Sequence, residues 1–318
     1  MIPGTVRERL DIAPEVIDAL VARRPVVALE STLISHGLAY PANLEVATAS
    51  EAAVRESGAV PATIAIQDGR FRIGLDAESL EALATATRGT VMKAARPSLS
   101  VAIARGGWAA TTVSATMIAA HAAGIRIFGT GGIGGVHRAP AGSSTTFDIS
   151  SDLDELARTP VAVVCAGPKA ILDVPNTLEV LETRGVPVVA LGQDELPGFY
   201  SRSAGIPAPH WVPDEAAATE VIETHLALGL GSGILVCVPV PSEVALPEAV
   251  ARDAIDRATA DAEAAGIHGP DLTPWLLTRI AEITGGDSVR ANTALIVNNA
   301  RVAGRLAVAL IAASAERR

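Results

Sequence analysis

Proline and glycine punctuate short apolar runs along the chain, and these runs alternate with longer stretches whose apolar positions recur at helical spacing. That alternation is the pattern of helices packed on a sheet. Strands are predicted at Val26–Glu30, Ala62–Gln67, Phe71–Leu75, Arg126–Gly129, Val161–Ala166, Pro187–Leu191 and Ile234–Val238. Between the second and third lies Asp68-Gly69, two residues that tolerate positive φ, which predicts a hairpin and hence a mixed sheet. Helices are predicted at Pro14–Arg23, Ala42–Ser57, Ala77–Thr87, Val113–Ala123, Ser151–Arg158, Pro175–Arg184, Asp214–Leu228, Pro247–Ala265, Thr273–Thr284 and Ser288–Ala313. No internal repeat, low-complexity tract or long polar linker interrupts this order, so residues 1–318 read as a single α/β domain. From Leu246 onward the chain is Ala-rich and nearly all helical, and it is expected to form a layer over the sheet.

Composition narrows the classes of function. With 49% hydrophobic and 19% charged residues, the chain can bury enough apolar surface to offset the entropy of ordering, which excludes a disordered protein. Its net charge of −10 opposes diffuse binding to nucleic acid or to an anionic membrane. An anionic ligand must therefore meet a local positive site. The N-terminal segment MIPGTVRERLDIAPEV lacks the apolar core of a signal peptide, and no uninterrupted apolar stretch reaches the roughly 18 residues of a membrane span. A cytoplasmic location is expected. Cys165 and Cys237 each sit inside an apolar run and read as buried structural thiols.

Only two of the 25 basic residues are lysines, Lys93 and Lys169; the others are arginines. Arginine stays protonated, whereas a desolvated lysine can become a neutral nucleophile or act as a compact phosphate ligand. Each lysine therefore carries more weight than its type alone would give it.

Ligands of open α/β sheets gather beyond the carboxyl ends of the strands. There the sequence places Glu30-Ser31-Thr32, the glycine run Thr130-Gly131-Gly132-Ile133-Gly134-Gly135-Val136-His137, and Pro168-Lys169. Glu30 closes an apolar strand, which suits either a carboxylic acid of raised pKa that donates a proton or a salt-bridged or capping carboxylate. From Gly129 through Gly131 to Gly134 the run spells G-x-G-x-x-G, but the segment GVHRAPAGSSTTF after it has no helical period on which a dinucleotide pyrophosphate could rest. A tight turn and a different ligand loop both remain open, and His137 reads as structural or as part of that loop. In FDISSDLDELA, Ser151 and Asp154 approximate a capping box, yet a helix N-terminus also suits a phosphate. Asp148, just upstream, could hold a divalent cation through one carboxylate and waters. Lys169 directly succeeds its apolar strand, as a desolvated amine nucleophile or as a rim salt-bridge partner. Lys93, also flanked by apolar residues, suits a phosphate clamp.

The segments ALESTLISHGLAYPANLEVA, PATIAIQDG, TTVSATM, GTGGIGGVHR, FDISSDLDELARTPVAVVCAGPKAILD, DELPGFYSRSAG, TPWLLTRIAEITGG and ANTALIVNNAR together span nearly the whole chain. Through them the sequence resembles the pseudouridine-5′-phosphate glycosidases, the family that also contains indigoidine-cluster A-type proteins. The resemblance implies a three-layer α/β/α fold with a mixed, largely parallel sheet, and a homotrimer. It also implies reversible cleavage of the C–C glycosidic bond of pseudouridine 5′-phosphate to uracil and ribose 5-phosphate, with Mn²⁺ as cofactor. Carried over by motif, Glu30 corresponds to the proton donor, Lys169 to the nucleophile and Asp148 to the metal ligand. Lys93, Val113, Ser150, Ser151 and Asp152 correspond to substrate-binding positions, with Asn292 or Asn298 as the candidate contact to the base. Such chemistry suits an acid paired with an amine, because a C–C glycoside has no leaving oxygen for a simple pair of carboxylates to protonate. Acid-assisted ring opening and attack of an amine at C1′ would lead to an imine that can release the uracil carbon.

The chain departs from the family pattern at Ala170, Ser242, Val244 and Val297, and the two valines each replace a polar side chain. None of these is a carried-over catalytic position. Two other functions fit part of the pattern: an imine-forming enzyme acting on a related sugar phosphate in secondary metabolism, and a non-catalytic ligand-binding homologue. A binding protein, however, needs no amine nucleophile.

Overall fold

The computed structural model describes residues 5–87, 89–139, 146–267 and 272–316. Among them the strands are β1 (Leu10–Ile12), β2 (Val26–Leu29), β3 (Val60–Gln67), β4 (Arg70–Ile73), β5 (Met92–Ala94), β6 (Trp108–Thr111), β7 (Ile127–Gly129), β8 (Val136–His137), β9 (Ala162–Cys165), β10 (Leu172–Asp173), β11 (Val188–Leu191), β12 (His210–Val212) and β13 (Ile234–Cys237). The helices are α1 (Pro14–Val21), α2 (Ala42–Glu56), α3 (Ala77–Thr85), α4 (Leu99–Arg105), α5 (Val113–Ala123), α6 (Ser151–Leu156), α7 (Val174–Thr183), α8 (Glu215–Leu228), α9 (Glu248–Ala264), α10 (Leu272–Ile283) and α11 (Asp287–Glu316).

The main sheet runs β1-β4-β3-β2-β7-β9-β13-β11-β12, and β6 with its partner β5 joins it alongside β3. From β3 through β12 the pairings along this path are parallel. The mixed character comes from β3. Its first half, Val60–Thr63, pairs parallel with β2, whereas Ile64–Gln67 pair antiparallel with β4, and on the edge shared with β2 Ala65–Gln67 do so with β6. The Asp68-Gly69 hairpin forms as expected, with φ of 50° and 77°.

Strand residues alternate between two buried faces, because helices cover both. Val27, Leu29, Ile127 and Val164 pack with Val54 of α2, Ile222 of α8 and Leu306 of α11. Ala28, Phe128, Val163 and Cys165 pack with Val16 of α1, Met117 of α5, Leu153 of α6 and Leu181 of α7. The architecture is thus three-layered, α/β/α, with a mixed and largely parallel sheet. A third cluster joins Leu295 and Ile296 of α11 to α9, α10, Phe199 and Tyr200. Both cysteines are free and buried.

Helix α11 is long and apolar enough to cross a bilayer by length and composition. Its apolar positions Ala303, Leu306 and Leu310 are instead buried against the sheet and α2. The predicted helices and strands are all present, with shifted ends. Strands β1, β5, β6, β8, β10 and β12 and helix α4 were not legible in the sequence pattern. The helix predicted to begin with a Ser151 capping box is capped one residue earlier, where the Ser150 hydroxyl accepts from the Asp152 N–H at 3.2 Å. The reason is local: Ser150 has the extended backbone a cap requires, and Ser151 is already helical.

Candidate active site

Glu30 is the first residue beyond β2, and its position is fixed by hydrogen bonds that explain the motif around it. The Ser31 N–H and the Thr32 hydroxyl donate to the Thr111 carbonyl at 3.3 and 2.8 Å, and the Thr111 N–H donates to the Ser31 hydroxyl at 2.9 Å. The end of β2 is thereby latched to the end of β6, directly before α5. In the β2–β7 register Leu29 lies against Gly129, so Glu30 and Thr130 are the next residues outward. The Thr130 hydroxyl donates to Glu30 Oε1.

The glycine run extends the β7–β9 pairing beyond both strands. The Thr130 N–H donates to Val164 O, the Ala166 N–H to Gly131 O, the Ile133 N–H to Gly167 O and the Lys169 N–H to Ile133 O, at 2.9 to 3.1 Å. Lys169 is therefore held on a backbone rail built by the glycines. Each glycine here faces a close neighbour. A Cβ on Gly132 would lie 2.6 Å from Phe199 Cε2, one on Gly134 2.2 Å from Ser150 Oγ, and one on Gly135 2.4 Å from Thr177 Oγ1. Close packing accounts for the glycines, and β8 rather than a helix succeeds them, so a dinucleotide fingerprint has no support. Part of the downstream stretch, residues 140–145, lies outside the described residues.

Asp152 draws these parts together. It is 5% exposed, and its carboxylate accepts from the Ser114 N–H and the Gly134 N–H, both at 2.9 Å. One side chain thus joins the starts of α5 and α6 to the glycine run. The Asp152 carboxylate is committed to those contacts. Val113 is likewise core by its side chain, 2% exposed, and is the first residue of α5.

Lys93 lies in β5, paired with Ala110, and it interacts electrostatically with Lys169, Asp152 and Glu30. Desolvation raises the Glu30 pKa above the ordinary carboxylate range, against the opposing pull of Lys169, the Thr130 hydroxyl and Lys93. For Lys93, desolvation and the neighbouring Lys169 lower the pKa. His137, in β8, is pushed toward its neutral form chiefly by burial and by the two lysines, although Asp148 opposes this. Its Nδ1 lies 4.0 Å from Asp148 Oδ2, and the Asp148 side chain is 58% exposed.

Glu30, Lys93, Asp152 and Lys169 therefore lie within electrostatic reach of one another, and His137 within reach of both lysines and of Asp148. Ser150 caps α6, and the Ser151 hydroxyl lies 3.4 Å from that of Ser114. Asn292 and Asn298 are half-buried on α11, and among the described residues their side chains make no hydrogen bond. The asparagine that reaches the glycine run is the next residue, Asn299, wholly buried, whose Nδ2 donates to Thr130 O and Gly131 O at 2.9 and 3.3 Å. Sequence reasoning passed over Asn299, and it named Thr130 only as the first residue of the glycine run. Helical phase would have found Asn299, because it stands four residues from both Leu295 and Ala303 on the buried face of α11.

At the carboxyl end of this α/β sheet, two amines thus lie within electrostatic reach of one desolvated carboxylic acid. The chain belongs to the indigoidine synthase A-like family, whose model matches residues 15–309. It is 56% identical to the pseudouridine-5′-phosphate glycosidase of Paracoccus denitrificans (strain Pd 1222), over 94% of this chain and 97% of that protein. To the enzyme of the same name from Caldanaerobacter subterraneus subsp. tengcongensis it is 54% identical, over 95% of this chain and 96% of that protein. Among solved structures it is similar to the prealnumycin C-glycosynthase AlnA in complex with ribulose 5-phosphate, with a TM-score of 0.88 and 38% identity over 99% of this chain and 100% of that one.

Proposed function

We propose that this enzyme reversibly cleaves the C–C glycosidic bond of pseudouridine 5′-phosphate to uracil and ribose 5-phosphate. The observation that carries the reading is that both lysines of a chain with only two converge on a single desolvated carboxylic acid. Glu30 gives its proton to the ring oxygen as the C1′–O4′ bond breaks, and the Lys169 amine bonds to C1′ and sheds a proton. The C1′–C5 bond then breaks, its electron pair passing to uracil C5, which takes up a proton, and C1′ becomes an imine of Lys169. Water hydrolyses the imine to ribose 5-phosphate and the free amine. Burial shifts Glu30 toward the acid form that this sequence of steps needs.

Lys93 and the backbone N–H groups at the starts of α5 and α6 are assigned to the phosphate, supplying the local positive site that a chain of net charge −10 requires. For Mn²⁺ the described residues offer no cluster of three or more His, Cys, Asp or Glu side chains. They fit a water-rich site resting on one exposed carboxylate, Asp148, with neutral His137 beside it. Bound there, the cation would supply positive charge toward the sugar phosphate. We further propose a cytoplasmic homotrimer, in which exposed apolar side chains such as Phe147, 98% exposed in the single chain, would find cover.

Release of uracil from pseudouridine 5′-phosphate, measured with and without Mn²⁺, tests the proposal. The likeness to AlnA favours one second reading, imine chemistry on a different sugar-phosphate adduct. Imine formation from ribose 5-phosphate without any uracil release would select it.

A further inference from the structure

Asn299 contributes more than packing. It is fully buried, its Nδ2 donates to the carbonyls of Thr130 and Gly131, and its Oδ1 accepts from nothing within the described residues. A buried amide oxygen without a donor is unfavourable, and an alanine, as at the next position, would avoid that cost. What the amide provides is therefore its two donated hydrogen bonds. Strand β7 ends at Gly129, so the Thr130 carbonyl lies beyond the ladder and Asn299 is its partner among the described residues. The hydroxyl of this same threonine donates to Glu30 Oε1.

We propose that Asn299 is a positioning residue for the acid step: by fixing the Thr130 backbone it keeps the threonine hydroxyl on Glu30 Oε1 and so leaves Oε2 to carry the transferable proton. The inference rests on Glu30 as proton donor. It adds a residue of α11, remote in sequence, that governs which oxygen of the acid is used. The charged groups interacting with Glu30 are Lys169 from the loop after β9, Lys93 from β5 and Asp152 from α6, and none of them is altered by changing Asn299 or Thr130. A hydroxyl that donates to a carboxylate favours its ionised form. Losing that donation raises the pH at which Glu30 gives up its proton.

The test is the pH profile of kcat for wild type, Asn299→Ala, Thr130→Val and Thr130→Ser. The alkaline limb should move upward by about half a pH unit or more in Thr130→Val, a span set by the net worth of one hydrogen bond. In Asn299→Ala it should move the same way, with kcat reduced about tenfold and KM nearly unchanged. Thr130→Ser should restore the wild-type limb. In the Thr130→Val background, adding Asn299→Ala should move the limb no further, because the two act in series. If Asn299→Ala lowers the melting temperature but leaves the limb in place, while Thr130→Val moves it, Asn299 is structural and the proposal fails. Should Asn299→Ala not fold, an unmoved limb in Thr130→Val overturns the proposal on its own. A Glu30→Gln variant that keeps both turnover and limb would instead refute the role of Glu30, a separately recognisable result.

Discussion

At the scale of single residues, function here depends on side chains whose ordinary behaviour has been changed by burial. Burial raises the proton affinity of Glu30 because ionisation next to the core is costly, and the lysines and Thr130 only partly relieve that cost. Glu30→Gln keeps shape and hydrogen bonding but loses the proton, so it should bind pseudouridine 5′-phosphate near normally while kcat falls by about two to four decades; single-turnover assays with parallel binding measurements check this. Lys93→Ala should weaken binding of pseudouridine 5′-phosphate by roughly one to two decades, the worth of a charge-assisted contact, and affect unphosphorylated pseudouridine much less. Competition assays with both ligands decide it, and equal losses would move Lys93 to the ribose or base. These residues were legible in the sequence because lysine is scarce and because polar groups stand immediately after apolar strands. The contacts of Thr130 and Asn299 were not, since helical phase marks Asn299 as buried but no spacing shows that its amide meets the Thr130 carbonyl or that the Thr130 hydroxyl meets Glu30.

Among the elements, the glycine run shows how sequence and structure differ in what they disclose. Read as a string, GTGGIGG allows a turn or a ligand loop; in the fold it is a backbone rail extending the β7–β9 pairing, with no room for a side chain at Gly132, Gly134 or Gly135. Gly134→Ala would force Ser150 Oγ away from its cap and crowd Asp152 Oδ2, 2.9 Å from the new Cβ. It should destabilise the protein by about 1–3 kcal/mol in urea unfolding, as overpacking does, and lower activity through displacement of the α6 start. Unchanged stability would mean that Ser150 has slack the packing does not suggest. The long apolar strands were legible because both of their faces are covered. Strands β5 and β12 escaped notice because three residues show no periodicity, and the start of β3 because Pro61 lacks the N–H expected within a strand. β5 matters most among these, since it places Lys93 beside β6 and the site.

For the whole molecule, an acidic chain must hold an acidic substrate by local means. Its overall charge of −10 repels the phosphate, so on the proposed reading the two lysines, the helix starts and a divalent cation reverse the field at one end of the sheet. Asp148→Ala should accordingly shift the Mn²⁺ activation curve to higher metal concentration, and a chelator should inhibit wild type; an unchanged curve would place the cation elsewhere. Fold class was legible from the alternation of strands and helices, whereas the convergence of Glu30, Lys93 and Lys169 required the strand order, which joins β2, β7 and β9 side by side. The central claim is that Lys169 forms an imine with the sugar. It is tested most directly by incubating the enzyme with ribose 5-phosphate, reducing with borohydride and measuring intact mass. Wild type should gain one ribose 5-phosphate less a water and plus two hydrogens, with the label on Lys169, and Lys169→Ala should gain nothing. No adduct on the wild-type enzyme, or an equal adduct on the variant, would contradict the account.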